Sequence, residues 1–461
     1  MSTKLNILKR LLTDIKQRPS LYFFVFLIVF TIDRHHRYEG GINNTGTFSY
    51  DVREYYRYLP DFFINEPEVS EPSIASNQRT VGMAIMYSPS FLVGHLLAKF
   101  QSEPQDGYSL PYQWAIRWGS IIYCFIGLFF CRKSLLLFFS EFITLVSLIT
   151  VFFATNLLFY TYTWGEMPHS YLFFLYAVFI YLTLEFIRNK QTKLLPWMCF
   201  VGGFITLVRP TGIVVFLFPL LYNVRSFEDL RTRIGLLLSK PSVLAVSFLL
   251  FWIPLLVQMM LWKKYHGSFV FYSYGEQKFF FGDPKIFRFL IGIRKGWLVY
   301  TPVMAFALLG IVLSYKRLKE FFIFLAVYFP LTVYILSCWW DWSSGGSFGC
   351  RVLIESYAFL VFPLALFIKA CWHLMKDRLV LNISSRILVL GLIAFFIKVN
   401  FVQLWQCKYG LMHWSGNNVE LYKFLFLKQE FTEADKKHLN YLHSQFVKPN
   451  DAEMLKGNRD Q

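Results

Sequence analysis

Apolar segments close to twenty residues long recur along this chain, and few folds can hold them. A helix needs about twenty such residues to cross roughly 30 Å of hydrocarbon. The composition agrees: of 461 residues, 55% are apolar and only 16% are charged, where a soluble chain of this size is about a quarter charged. The expected fold is an all-α, polytopic membrane protein.

Charge then orders the segments. Lys4, Lys9, Arg10, Lys16 and Arg18 precede a first apolar run at 21–32. No small-x-small cleavage site follows, so this run is expected to stay as the first span, with the N-terminus cytoplasmic. Later spans are expected at 113–131, 134–158, 169–187, 194–208, 211–224, 242–260, 297–314, 320–338, 352–369 and 385–403, which makes eleven. The segments on the cytoplasmic side then hold twenty-one Lys and Arg, while the short outer loops hold two, Arg209 and Arg351. Residues 80–99 are also apolar, but broken by Pro89, Gly94 and His95. Making them a span would invert this charge pattern, so they are expected to be a juxtamembrane helix pair lying in the interface, kinked at Pro89. Residues 1–403 thus form a transmembrane domain, with 33–112 as a large first outer loop holding ten carboxylates. Residues 404–461 form a small extracytoplasmic tail.

With this topology, five polar islands fall on the outer side: 49–63, 161–170, Arg209-Pro210, the basic loop 263–296 and 338–351. Each has a plain reading and a functional one. Asp51 at the start of a helical run could be an N-cap; it could equally be a general base facing an acceptor hydroxyl, with Tyr55 on the same face and Glu54 nearby. Glu166 and His169, flanking Pro168, could match a helix dipole or sit at the interface; they could also bind substrate. Arg209, between two short apolar runs, needs a partner at such depth and is a site candidate for that reason. Arg294 and Lys295 belong to an outer loop that breaks the charge rule. That loop is either tolerated for its length or faces a bound anion. In the stretch Trp339-Trp340-Asp341-Trp342 the rings could be a membrane belt. Gly345, Gly346, Ser347, Gly349 and Arg351 favour a ligand-lining loop instead, and Arg351 is spaced to pair with Glu355.

Other classes recede. The net charge of +17 would suggest nucleic acid in a soluble protein, but here it sets topology and no nucleic-acid partner is expected. Seven scattered cysteines make neither a metal cluster nor a disulfide framework. Nucleotide-loop and zincin motifs are absent from the sequence. Asn43-Asn44-Thr45 fits a glycosylation acceptor, a common chance match. Absence of internal repeats speaks against a secondary transporter. The rival functions are a lipid or polysaccharide transporter or flippase and a non-catalytic envelope-assembly protein.

The order of these motifs resembles the GT-C superfamily of membrane glycosyltransferases, which includes protein O-mannosyltransferases and lipid A aminoarabinose transferases. The features that carry it are Asp51-Val52-Arg53-Glu54-Tyr55 after the first span, the Tyr87-Ser88-Pro89 turn, Arg117, Glu166-Met167-Pro168-His169, Arg209-Pro210, and the later runs 271–302 and 345–351. The resemblance implies transfer of a sugar from a polyprenyl-phosphate donor to a lipid, glycan or protein acceptor. It places the site on the outer face, in a bacterial inner membrane. Asp51 stands at the catalytic carboxylate. The second acid of many members is Val52 here, which leaves Glu54 or Glu166 as its substitute and weakens metal-dependent variants. No cofactor is required by the resemblance, and a divalent metal stays open. Arg209, Arg294, Lys295 and Arg351 would hold the donor phosphate. Tyr55, His169, Trp339, Trp340, Asp341, Trp342 and Ser347 would line the substrate.

Overall fold

The computed structural model describes residues 13–38, 48, 51–64, 77–374, 378–445, 451–457 and 459. Asn43-Asn44-Thr45 and the first two residues of the 49–63 island lie outside them. Among the described residues all regular structure is helical, apart from one isolated bridge between Phe279 and Trp339.

Among the described residues six helices are long and apolar enough to cross a membrane: Leu110–Leu135, Pro168–Asn189, Pro241–His266, Lys319–Ser337, Arg351–Trp372 and Leu379–Lys408. Each overlaps an expected span. The other expected spans form shorter pieces. The first run extends as a helix Pro19–Tyr38, 134–158 contains the helix Glu141–Phe153, and 194–208 forms Leu195–Val208. Residues 211–224 fold as a 3-10 turn Pro210–Phe216 followed by Leu217–Leu221, and 297–314 divides into Trp297–Tyr300 and Met304–Arg317. Punctuation residues explain the breaks. Proline opens the first turn at Pro111, Pro168 and Pro241, where its missing N–H has no helical partner to lose. Gly267 closes the Pro241–His266 helix in the left-handed region, at φ 73°.

The core is built around Tyr357–Trp372. Its residues 357–366 are all buried, as expected of a helix apolar on every side and surrounded by others. It packs against Met304–Arg317, where Gly310 lies directly on the Pro363 carbonyl with no room for a Cβ. Leu195–Val208 and Pro241–His266 pair in the same way, with Gly203 set against the Phe251 carbonyl. Small residues at such crossings let helix backbones approach, the usual means of packing helices in lipid.

The outside of the bundle is apolar. Phe248, Leu249, Ile253, Leu256 and Met260 are exposed on one long helix, and Val380, Ile387 and Leu388 on another. Water would penalise an apolar surface of this extent, whereas hydrocarbon solvates it. Residues 82–100 form one continuous helix that includes Pro89, not the expected pair, and its Leu92, Val93, Leu96, Leu97 and Phe100 are exposed. That apolar stripe suits a helix resting on a membrane surface.

At the end away from the polar islands, Glu141 ties three segments together. Arg132 Nη2 donates to Glu141 Oε1 at 2.6 Å, Arg132 Nε donates to Ser20 Oγ at 2.7 Å, and Ser20 N donates to Glu141 Oε2 at 3.2 Å. Glu141 thereby staples the first helix to its neighbours.

The tail does not stand apart from the bundle. Asn417 Nδ2 donates to the Tyr300 hydroxyl at 2.6 Å, and the Tyr422 hydroxyl donates to Val299 O at 3.2 Å. Gln406 Nε2 donates to the carbonyls of Leu425 and Lys428.

Candidate active site

Asp51 is the first residue of a short helix, Asp51–Tyr56. Its side chain is held by two arginines from distant parts of the chain. Arg79 Nη2 donates to Oδ1 at 3.0 Å and Arg351 Nη2 donates to Oδ2 at 3.1 Å. With both oxygens engaged this way, Asp51 is an ion-pair centre rather than a simple cap. Burial pushes its carboxyl up, but Arg351 and Arg79 together outweigh burial and hold it below the usual carboxylate range.

Arg79 is the hub. Its Nε lies 3.7 Å from Glu54 Oε2, its Nη1 donates to the Tyr274 hydroxyl at 3.1 Å, and the guanidinium sits over the Tyr274 ring. Burial pushes Glu54 up, against the pull of Arg79, so the two neighbouring acids shift in opposite directions. Tyr55 packs beside Arg79, and burial pushes its hydroxyl up to about 12, so it stays a proton donor at neutral pH. Tyr274 and Ser273 bring the basic loop into this site: the Ser273 hydroxyl donates to Gln78 O at 2.7 Å.

A second carboxylate lies one residue group deeper. Arg209 Nη1 donates to Glu355 Oε1 and, at 3.4 Å, to Val352 O. His169 Nδ1 stands 3.6 Å from Glu355 Oε2, just beyond hydrogen-bond reach, and both acid and imidazole are buried. Arg351 therefore pairs with Asp51 rather than with Glu355, four residues on. The 3-10 geometry of Arg351–Ser356 explains the difference, because residues four apart share a face only on an α-helix. Beside the Arg209–Glu355 pair is a small cavity of about 20 Å³, room for a water molecule. Tyr176, Tyr328, Thr332 and Ser356 supply its hydroxyl wall, and Val214, Ile335 and Leu336 its apolar wall.

Glu166 is buried and pairs with Arg117, whose Nε is 3.4 Å from Oε1; burial pushes this acid up, and Arg117 opposes it. The Tyr87 hydroxyl donates to the Glu166 carbonyl. Glu166 thus borders the cluster without touching Asp51.

The remaining expected residues are divided. Trp339 stacks edge-on with Tyr274, at a ring separation of 5.5 Å, and so reaches the Arg79 hub. Trp342 is buried, and Arg294 lies over its ring. Trp340 N donates to Lys278 O at 3.0 Å, which holds the loops 267–285 and 338–351 together. Asp341 accepts from Ser343 N and Oγ in a local turn. The Ser347 hydroxyl donates to the Gly349 carbonyl. Lys295 is buried, its Nζ donating to Trp414 O at 3.0 Å and to Ser347 O, and burial lowers its pKa to about 8. Arg294 Nε donates to Ser415 O. These two cations fasten the loops 292–296 and 338–351 to the tail instead of facing Asp51.

Sequence reasoning missed Arg79, Tyr274 and Arg459. Arg79 carried a signal: a cation just before the apolar helix Gly82–Phe100 sits against the positive end of its dipole and needs an acid nearby. Arg459 carried none. It is fully buried and donates to the carbonyls of Asp283, Ser337, Trp339 and Trp340, while its own carbonyl accepts from Trp342 Nε1 at 3.4 Å.

A metal does not fit these donors. Among the described residues no three His, Cys, Asp or Glu side chains converge, and both Asp51 oxygens already accept from arginines. Comparison with protein-family models, curated proteins and solved structures finds no match to this chain.

Proposed function

We propose that this chain is a multi-pass membrane glycosyltransferase, taking a sugar from a polyprenyl-phosphate donor at the outer face of a bacterial inner membrane. The observation that carries the reading is the set of arginines around Asp51. Arg79 and Arg351 hold the carboxylate, and Arg209 lies at the adjoining cavity. Eleven spans with the N-terminus inside would put this cluster outside, where lipid-linked rather than nucleotide-linked sugars are within reach. The GT-C resemblance of the surrounding motifs points the same way.

The chemistry follows from the charges. Before a donor binds, the two arginines lower Asp51's basicity. A donor phosphate arriving between them competes for the guanidinium groups and restores it. Asp51 then takes the proton of the acceptor hydroxyl. The acceptor oxygen bonds to the anomeric carbon from the face opposite the phosphate, and the carbon–oxygen bond to phosphate breaks. Polyprenyl phosphate leaves with the bonding electron pair, its charge stabilised by arginine. The configuration inverts in one step. Glu54 is the second carboxylate in reach of Arg79, in place of the acid absent at Val52. No step runs through a metal.

The test is incubation of purified protein with labelled polyprenyl-phosphate sugars and a membrane extract. Covalent transfer to a lipid, glycan or protein supports the reading. Movement of the intact labelled lipid across a vesicle membrane, with no new covalent product, would replace it with a flippase.

A further inference from the structure

The part of the basic loop ahead of Arg294 and Lys295 forms a surface of its own. From 263 to 291 the chain carries Lys263, Lys264, Lys278, Lys285 and Arg288 against Glu276 and Asp283, and Asp283 pairs with Lys285 at 2.9 Å. Lys263, Lys264 and Lys278 are exposed. Large apolar side chains lie open among them: Phe269, Val270, Tyr272, Phe281 and Phe287 are each at least 50% exposed. Local contacts fix their level. The Phe271 ring stacks on His266, the last residue of Pro241–His266, at a ring separation of 3.6 Å. Lys263 Nζ donates to Gly267 O at 2.8 Å and lies over the Phe269 ring. The Tyr334 hydroxyl, in the last turn of Lys319–Ser337, donates to Phe281 O at 2.7 Å, and Lys285 N donates to Ser337 O at 3.2 Å. The open rings are therefore held at the ends of two helices long enough to span a membrane.

We infer that this face seats in the membrane leaflet at that end of the bundle, with its rings in the interface and its lysines on the phosphates of anionic phospholipid headgroups. Charge and continuity favour lipid over an acidic protein partner. Leu256 and Met260, exposed on the same helix, belong to the surface that hydrocarbon solvates. Lys263 and Lys264 follow them directly, at the depth where long cationic side chains reach headgroups. Lysine interspersed with aromatic residues is the pattern of an interfacial segment, whereas lysine is depleted from protein–protein interfaces. Just beyond Tyr272, Ser273 donates to Gln78 O and Tyr274 accepts from Arg79. One loop thus touches both the leaflet and the candidate site, whatever reaction that site performs.

The experiment labels full-length Val270→Cys protein with a thiol-reactive fluorescent dye, the native cysteines being buried or half-buried. The labelled protein is placed in nanodiscs of phosphatidylcholine alone, and of phosphatidylcholine mixed equally with phosphatidylglycerol. Each contains a lipid bearing a nitroxide quencher. Glu276→Cys, labelled in the same way at an exposed polar position, serves as the water-facing control. Quenching at position 270 is expected to be about twofold stronger with phosphatidylglycerol. It should fall back to the phosphatidylcholine level at about 1 M salt, where the Debye length is about 3 Å. Lys264→Gln removes one exposed charge and should shrink the phosphatidylglycerol effect, while the salt response reads the same contact with every lysine in place. Quenching at 270 no greater than at 276, in either lipid, overturns the inference. Quenching at 270 that is equal in the two lipids overturns it as well.

Discussion

At the scale of single residues, Asp51 carries the sharpest expectations. Asp51→Asn keeps the side chain's shape but removes the charge and the base, and its amide nitrogen cannot accept from the second of the two arginines. Transfer should fall by about 10²–10⁴, while the lipid-linked donor still binds. Full transfer by the mutant, measured with the same labelled donor, would remove Asp51 from the chemistry. The residue also makes a pH signature. Its folded pKa is lowered by Arg351 and Arg79 against the effect of burial. Its contribution to stability is therefore complete above the unfolded carboxylate value of about 3.9 and is lost as pH falls through the lower folded value. The stability difference between wild type and Asp51→Asn should close below about pH 4, as followed by unfolding in detergent. Arg79→Lys tests the hub. A lysine cannot address Asp51, Glu54 and Tyr274 at once from a planar fork. Its transfer rate should drop at least tenfold, with the fold intact by circular dichroism.

Among elements, those whose apolar residues run unbroken were legible from sequence. The six long helices fall where the apolar runs placed them, because hydrocarbon thickness sets helix length. The short pieces were not legible. Residues 211–224 begin in a 3-10 turn, and 297–314 are interrupted at Pro302 between two helical pieces; hydropathy alone reads across such breaks. Side-chain pairing was legible only where it is local. Asp51 joins Arg351 across 300 positions, and no spacing rule reaches that far. The four-residue rule even suggested the wrong partner, Glu355, because it assumes an α-helix where the chain is 3-10. Two element-scale contacts can be tested by unfolding. Gly310→Val should destabilise by about 1–3 kcal/mol through overpacking, since the added carbons meet the Pro363 carbonyl. Glu141→Ala should lose about 1–3 kcal/mol, leaving Arg132 and Ser20 without their acceptor.

For the whole molecule, the expectation concerns sidedness. The first polar segment and the basic loop meet at Ser273 and Gln78, so they share one side. The Pro168–Asn189 helix, of 22 residues, separates them from Lys193 by about 33 Å. All seven native cysteines are buried or half-buried, which leaves low background for thiol labelling. Cysteines placed at the exposed positions Glu103 and Glu276 should react with a membrane-impermeant maleimide from outside intact cells. One at Lys193 should react only after the cells are opened. Labelling of position 103 from the cytoplasm alone would reverse the topology and with it the outward-facing site.

Arg459 gives that architecture a timetable. The loop it grips, residues 337–340, is translated well before it, as are Asp283 and Tyr274. At roughly 5–20 residues per second, about ten to forty seconds pass between synthesis of Tyr274 and of Arg459. Throughout that interval the spanning helices can insert while the wall of the candidate site lacks its last fastening. Maturation of the site is thereby a late, post-insertion event, and a nascent chain halted just short of this arginine would be membrane-embedded yet unfinished at the one place where chemistry is proposed.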